Sequence, residues 1–175
     1  MFRDQVRITG THAEIMKKYS RDKQGENKYT LLLNDNSGMQ VESYIFETMY
    51  ECYVLAACLG LAYNRKAESN TENNATANVF ADKIVSNQRF LNRIFQQMVF
   101  CDDTCFGTDI DSKIKMLFDI GNMRPEDKKI GKDLFDSYVR GGLEIINETF
   151  KDANSYEDIT RSLLKLVKNA TVVEM

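Results

Sequence analysis

A chain of 175 residues with 43% apolar content is long enough for one globular domain with its own core and too short for two large ones. One proline, Pro125, and nine glycines leave it without the dense turn punctuation of a β-sandwich or barrel, so the expected fold is mainly α, a single-domain multi-helix bundle. Its 23 basic and 26 acidic residues are mixed along the chain and sum to −3, which excludes a global electrostatic drive toward DNA, RNA or anionic lipid.

Near the N-terminus, Val6 and Ile8 alternate with Arg7 and Thr9, the pattern of a short strand, hairpin arm or extended segment. Thr11 followed by Glu14 reads as a capping box opening a brief helix to about Tyr19. Lys17, Lys18, Arg21, Lys23 and Lys28 then form the most positive stretch of the chain. They are the candidate nucleic-acid-binding residues, although the interleaved Asp22 and Glu26 favour a solvated loop. The apolar run Tyr29 to Leu33 is followed by a turn signal from Asn34 to Gly38, as at the end of a short strand or helix.

A central helix is expected from near Ser43 to Gly60, where Ile45, Phe46, Met49, Cys52, Tyr53, Ala56 and Ala57 recur at three- and four-residue spacing. Its small residues Ala56, Ala57, Cys58 and Gly60 let a second helix approach closely, and Arg65 and Lys66 place positive charge at its C-terminal end. The apolar-rich stretch Tyr53 to Tyr63 is far short of the roughly 20 residues of a membrane span. Glu68 to Asn78 is polar and of low complexity, and is expected to be a flexible tract inside one domain spanning residues 1–175.

Beyond it, Val79, Phe80, Ile84, Phe90, Leu91, Ile94, Phe95, Met98 and Val99 trace an amphipathic helical region bent near Ser86 and Asn87, closed by a loop from Cys101 to Asp109. A shorter helix from about Asp111 carries Ile114, Leu117 and Phe118 inward. Pro125 suits the first turn of the next helix, with Glu126 and Asp127 at its positive end, and that helix runs through Leu134, Tyr138, Leu143, Ile146 and Phe150. An interior glycine costs about 1 kcal/mol relative to alanine, so Gly141-Gly142 marks either a helix break or a close backbone contact. The last helix is capped by Ser155 with Asp158 and runs to about Lys168.

No residue set completes a catalytic or metal centre. Cys101 and Cys105 have a spacing for two zinc thiolates, but Cys52, Cys58 and His12 add no matching ligand pair, and the cysteines are expected to be reduced thiols of a cytoplasmic protein. Asp102, Asp103, Asp109 and Asp111 lack the spacing of a calcium loop. Asp119 with Glu126-Asp127-Lys128 resembles a metal-dependent nuclease pattern, yet Pro125 places Glu126 and Lys128 in a helix rather than on paired strands. His12 is the sole histidine, and Gly121, Gly131, Gly141 and Gly142 form no phosphate loop. No enzyme activity, cofactor or metal is expected.

Two stretches carry a family likeness: Phe46-Glu-Thr-Met-Tyr-Glu-Cys-Tyr-Val-Leu-Ala-Ala-Cys-Leu-Gly-Leu-Ala-Tyr-Asn-Arg-Lys66 and Tyr138-Val-Arg-Gly-Gly-Leu-Glu-Ile-Ile-Asn-Glu148. Together they resemble the Dnd system-associated small proteins, encoded beside bacterial DNA phosphorothioation systems. The Asn-rich tract and the helix before Cys101 read as an insertion relative to that family. The resemblance implies an anti-phage defence setting, in which small helical proteins accompany a larger SMC-like ATPase and a nuclease that act on DNA. It points to a non-catalytic accessory subunit. A small DNA-binding module using Lys17 to Lys28, with Arg89 and Arg93, and a metal-dependent nuclease are the alternatives.

Overall fold

The computed structural model describes residues 2–21, 31–35, 37–70, 73–118 and 123–171. In chain order these form β1 (Val6–Thr9), α1 (Gly10–Tyr19), β2 (Leu31–Asn34), β3 (Gln40–Ser43), α2 (Met49–Ala62), β4 (Thr76–Val79), α3 (Ala81–Ser86), α4 (Gln88–Cys101), α5 (Ile110–Phe118), α6 (Pro125–Phe150) and α7 (Tyr156–Thr171). The protein is mainly α, with two small antiparallel sheets. β2 and β3 make a hairpin with Leu33 opposite Val41, and β1 pairs with β4, Val6 facing Val79.

That second pairing corrects the sequence reading of Glu68 to Asn78 as flexible throughout. Thr76, Ala77 and Asn78 are strand residues, paired with Thr9, Ile8 and Arg7. Ala77 and Val79 bury their side chains in the core, which the polar composition of the tract concealed. The same pairing moves the start of α1. The chain turns from strand to helix at Gly10, with φ of +66°, a value glycine adopts without steric penalty, and the Gly10 N–H donates to the Ala75 carbonyl at 2.9 Å. Thr11 and Glu14 therefore lie inside the helix and form no capping box; Glu14 instead accepts a hydrogen bond from Asn73 at 2.9 Å.

The capping box belongs to α2. Thr48 accepts from the Glu51 N–H at 3.2 Å, and the Glu51 carboxylate accepts from the Thr48 N–H at 3.3 Å, satisfying two backbone donors that a helix start leaves open. The helix thus begins six residues after the expected Ser43, and Ile45 and Phe46 instead donate their backbone N–H groups to the Tyr19 carbonyl.

α6 is continuous across Gly141-Gly142, so the pair marks a close contact and not a break. A Cβ built on Gly142 would collide with the Ala56 carbonyl, one on Gly141 with the Arg65 carbonyl, and one on Gly60 with the Tyr138 carbonyl. At this crossing the two helices meet backbone to backbone, a contact only glycine allows. Around it, Tyr53, Ala56, Phe95, Phe135, Tyr138, Leu143 and Phe150 are fully buried. α3 and α4 are separated at Asn87, where the bend was expected. α7 extends to Thr171, and Ser155 caps it by accepting from the Asp158 N–H at 3.2 Å.

Candidate functional site

The segment after α2 is clamped to the second half of α6. Arg65 reaches Glu144 through Nε and Nη2 at 3.1 and 2.8 Å, and Glu148 through Nη1 and Nη2 at 2.6 and 2.7 Å. The planar guanidinium matches two carboxylates that lie one helical turn apart. These contacts hold Glu148 below the ordinary carboxylate range. Buried His12 adds its Nε2 to Glu144 at 3.4 Å; burial lowers the affinity of this imidazole for a proton despite that neighbour.

Lys66, the next residue, pairs with Asp102 at 2.7 Å and lies against the Tyr138 ring. Asp102 is buried and accepts further hydrogen bonds from the Tyr138 hydroxyl at 3.0 Å and the Thr104 N–H at 2.8 Å. Burial by itself would raise this carboxyl, but the hydrogen bonds from Lys66, Thr104 and Tyr138 outweigh it and hold the group well below its ordinary range. Asp103 binds buried Lys113 at 2.7 Å, and Asp109 accepts from the Ser112 N–H at 3.0 Å in the first turn of α5.

The acidic loop is thus committed to structure: its aspartates pair lysines and cap a helix. Among the described residues no group of three or more His, Cys, Asp or Glu side chains could hold a metal ion, and Cys101 and Cys105 are free thiols. Asp119 and Gly121 lie outside the described residues.

Of the predicted cationic stretch, Lys17 and Lys18 sit half-buried in the last turn of α1. Lys18 lies 5.2 Å from the centre of the Tyr19 ring. Arg21 pairs with Glu47 at 3.3 Å and stacks on Tyr44, so part of its charge is already answered. Lys23 and Lys28 lie outside the described residues.

A second basic cluster escaped the sequence reading. A cleft of about 290 Å³ opens between the N-terminal arm and the first half of α6, lined by Arg3, Lys128, Lys129, Lys132, Tyr53 and Asp136. The arm is fixed because Phe2 packs edge-on against Phe135 and Phe95, with ring centres 4.8 and 6.3 Å away, and because β1 is tied to β4. Tyr53 is fully buried, and its hydroxyl has no hydrogen-bond partner among the described residues. Burial pushes the Asp136 carboxyl up to about 6; Lys132 and Arg140 pull it down and Asp133 pushes it up. The signal available in sequence was Lys128-Lys129-x-x-Lys132, whose spacing gathers the lysines along one side of a helix. Arg3 and Tyr53 come from distant parts of the chain and carry no such signal.

No helix of the described residues is long and apolar enough to cross a membrane. Neither a curated protein nor a solved structure matches the chain at a significant level. A family model does, over residues 5–174, the middle segment included. The two stretches that carried the resemblance are those that meet at the glycine crossing and the Arg65 clamp, and the chain belongs to the family of DNA sulphur modification system-associated protein 4.

Proposed function

We propose that this protein is a non-catalytic accessory subunit of a multi-component defence complex, docking on a larger SMC-like ATPase, a nuclease, or both, and helping that partner act on DNA. Membership of a family associated with DNA sulphur modification systems carries the reading. Two features of the chain support it. The carboxylates Asp102, Asp103 and Asp109, which a nuclease would turn toward a metal, are engaged in ion pairs and a helix cap. The surface also offers apolar side chains for contact: Phe80 at the start of α3, Val85 within it and Phe90 in the first turn of α4 are 61%, 51% and 48% exposed.

Co-expression with the products of the neighbouring genes tests this. A complex that survives size-exclusion chromatography and is lost in the Phe80→Ser/Phe90→Ser variant is expected. A chain that elutes alone from every such mixture overturns the proposal. Tight duplex binding by the isolated chain, falling steeply with salt and abolished by Lys17→Gln/Lys18→Gln, would assign it instead as a DNA-binding module.

A further inference from the structure

We propose that the cleft between the N-terminal arm and the first half of α6 is a binding site for a phosphate group. Two independent observations meet there. One is charge: Arg3, Lys128, Lys129 and Lys132 face the cleft against the carboxyls of Asp4 and Asp136, and Arg3, Lys129 and Lys132 form no ion pair with another described residue. The other is Tyr53, a residue that lines the cleft and whose buried hydroxyl has no hydrogen-bond partner among the described residues. Leaving such a group unsatisfied costs roughly 1–3 kcal/mol; the hydroxyl is covered in the free protein, so a ligand acceptor recovers that cost by drawing it toward the cleft.

The donor set selects the ligand. Arginine supplies a fork of N–H groups, each lysine three, and tyrosine one. A tetrahedral oxyanion, all of whose oxygens accept, answers all of them at once. A metal cation does not fit, because cations outnumber carboxylates in the lining. Asp136, raised to about 6 by burial, adds a further donor where it is protonated; where it is ionised it opposes the anion, and the four cations outnumber it. At about 290 Å³ the space lies at the lower end of small-molecule sites. It suits a single phosphate, free or on a small ester, or the terminal phosphate of a DNA strand, but not the side of a duplex. This inference does not depend on the docking role proposed above.

Isothermal titration of the whole chain with inorganic phosphate, at low ionic strength, tests the site. Saturable binding is expected. Tyr53→Phe removes only the hydroxyl and keeps the ring packed on Phe135; it should weaken binding about tenfold, the loss of one hydrogen bond to a charged group. Lys129→Gln/Lys132→Gln should weaken it further and flatten its salt dependence, whereas Lys17→Gln/Lys18→Gln should leave it unchanged. Circular dichroism melting confirms that each variant is folded.

Absence of saturable binding in the wild type overturns the proposal. So does binding that Tyr53→Phe leaves intact, which would place the anion on surface lysines outside the cleft. A 5′-phosphorylated hexanucleotide compared with its unphosphorylated twin separates the sources. Preference for the phosphorylated strand over inorganic phosphate identifies a DNA end, and equal or weaker binding identifies a small phosphate; both outcomes support the site.

Discussion

The two halves of α6 satisfy their polar groups in opposite ways. From Tyr138 to Phe150 the helix is locked: its glycines admit the backbone of α2 and of the segment after it, its glutamates hold Arg65, and Tyr138 donates to a buried aspartate that already binds Lys66. From Pro125 to Asp136 the same helix presents lysines to a cleft, beside a carboxyl that burial makes easier to protonate and a tyrosine hydroxyl with no acceptor among the described residues. Beside the locked half the buried Nδ1 of His12 has no partner among the described residues, but the charged groups there are all paired, and a charge network so connected rigidifies a fold. The locked half makes the frame and the other half is free to bind.

Mutation should separate the halves most sharply at the crossing. Gly142→Ala puts a methyl group against the Ala56 backbone, and relief requires moving one central helix away from the other. Its cost should exceed the roughly 1–3 kcal/mol usual for an overpacked core, seen as a large drop in the urea midpoint or as failure to fold. A comparable loss for Lys129→Gln would break the distinction drawn here.

Asp102→Asn comes next. It leaves Lys66 and the Tyr138 hydroxyl without their charged partner, and because Lys66 can regain water the loss should be about 2–3 kcal/mol rather than the 3–5 of a fully buried pair. Since folding depresses this carboxyl, its contribution is present above the ordinary value of 3.8 and disappears as pH falls through the lower folded value. The difference between wild type and variant should therefore shrink below about pH 4 in acid titrations of stability.

Local chemistry was what the sequence disclosed well. Pro125 with Glu126 and Asp127 located the start of α6, Ser155 with Asp158 the start of α7, and the small residues of α2 the face that another helix approaches. What failed was anything decided by distant partners. The Thr-x-x-Glu pattern ahead of an apolar helical run occurs at Thr11 and again at Thr48, and the pairing of β1 with β4 disqualifies the first. Thr76 to Val79 looks like the end of a polar tract until Ile8 and Val6 are placed beside it. Asp102 looked like one acidic loop residue among four; its burial and its pairing to Lys66 connect positions 36 apart in the chain. The cleft was hidden for the same reason, since Arg3, Tyr53 and Lys132 are joined only by the fold.

In the open half, Asp136→Asn should act in the opposite sense to Asp102→Asn. Folding raises the Asp136 carboxyl from 3.8 to about 6, so the wild type loses stability as pH climbs from about 4 through 6, while the amide is indifferent to pH. Near pH 8 the variant should be more stable by about 2 kcal/mol or less, because solvent reaches part of this side chain and Lys132 and Arg140 lie close. Near pH 4 the two should coincide, and a constant offset across the range would show that packing, not ionisation, separates them.

Tyr53→Phe should have the smallest effect and the most telling sign. The ring stays against Phe135, 5.8 Å between centres, so no cavity forms, and the variant removes a buried hydroxyl that no described group satisfies. Replacing an unsatisfied polar group by an apolar one of the same shape is neutral or stabilising, so a gain of up to about 1 kcal/mol is expected from urea unfolding without phosphate. With phosphate present the order should reverse, because only the wild type gains the free energy of binding its ligand, which enters stability through mass action. A loss of stability in both conditions would mean that the hydroxyl is bonded inside the native fold, and would place Tyr53 with the locked half of the molecule.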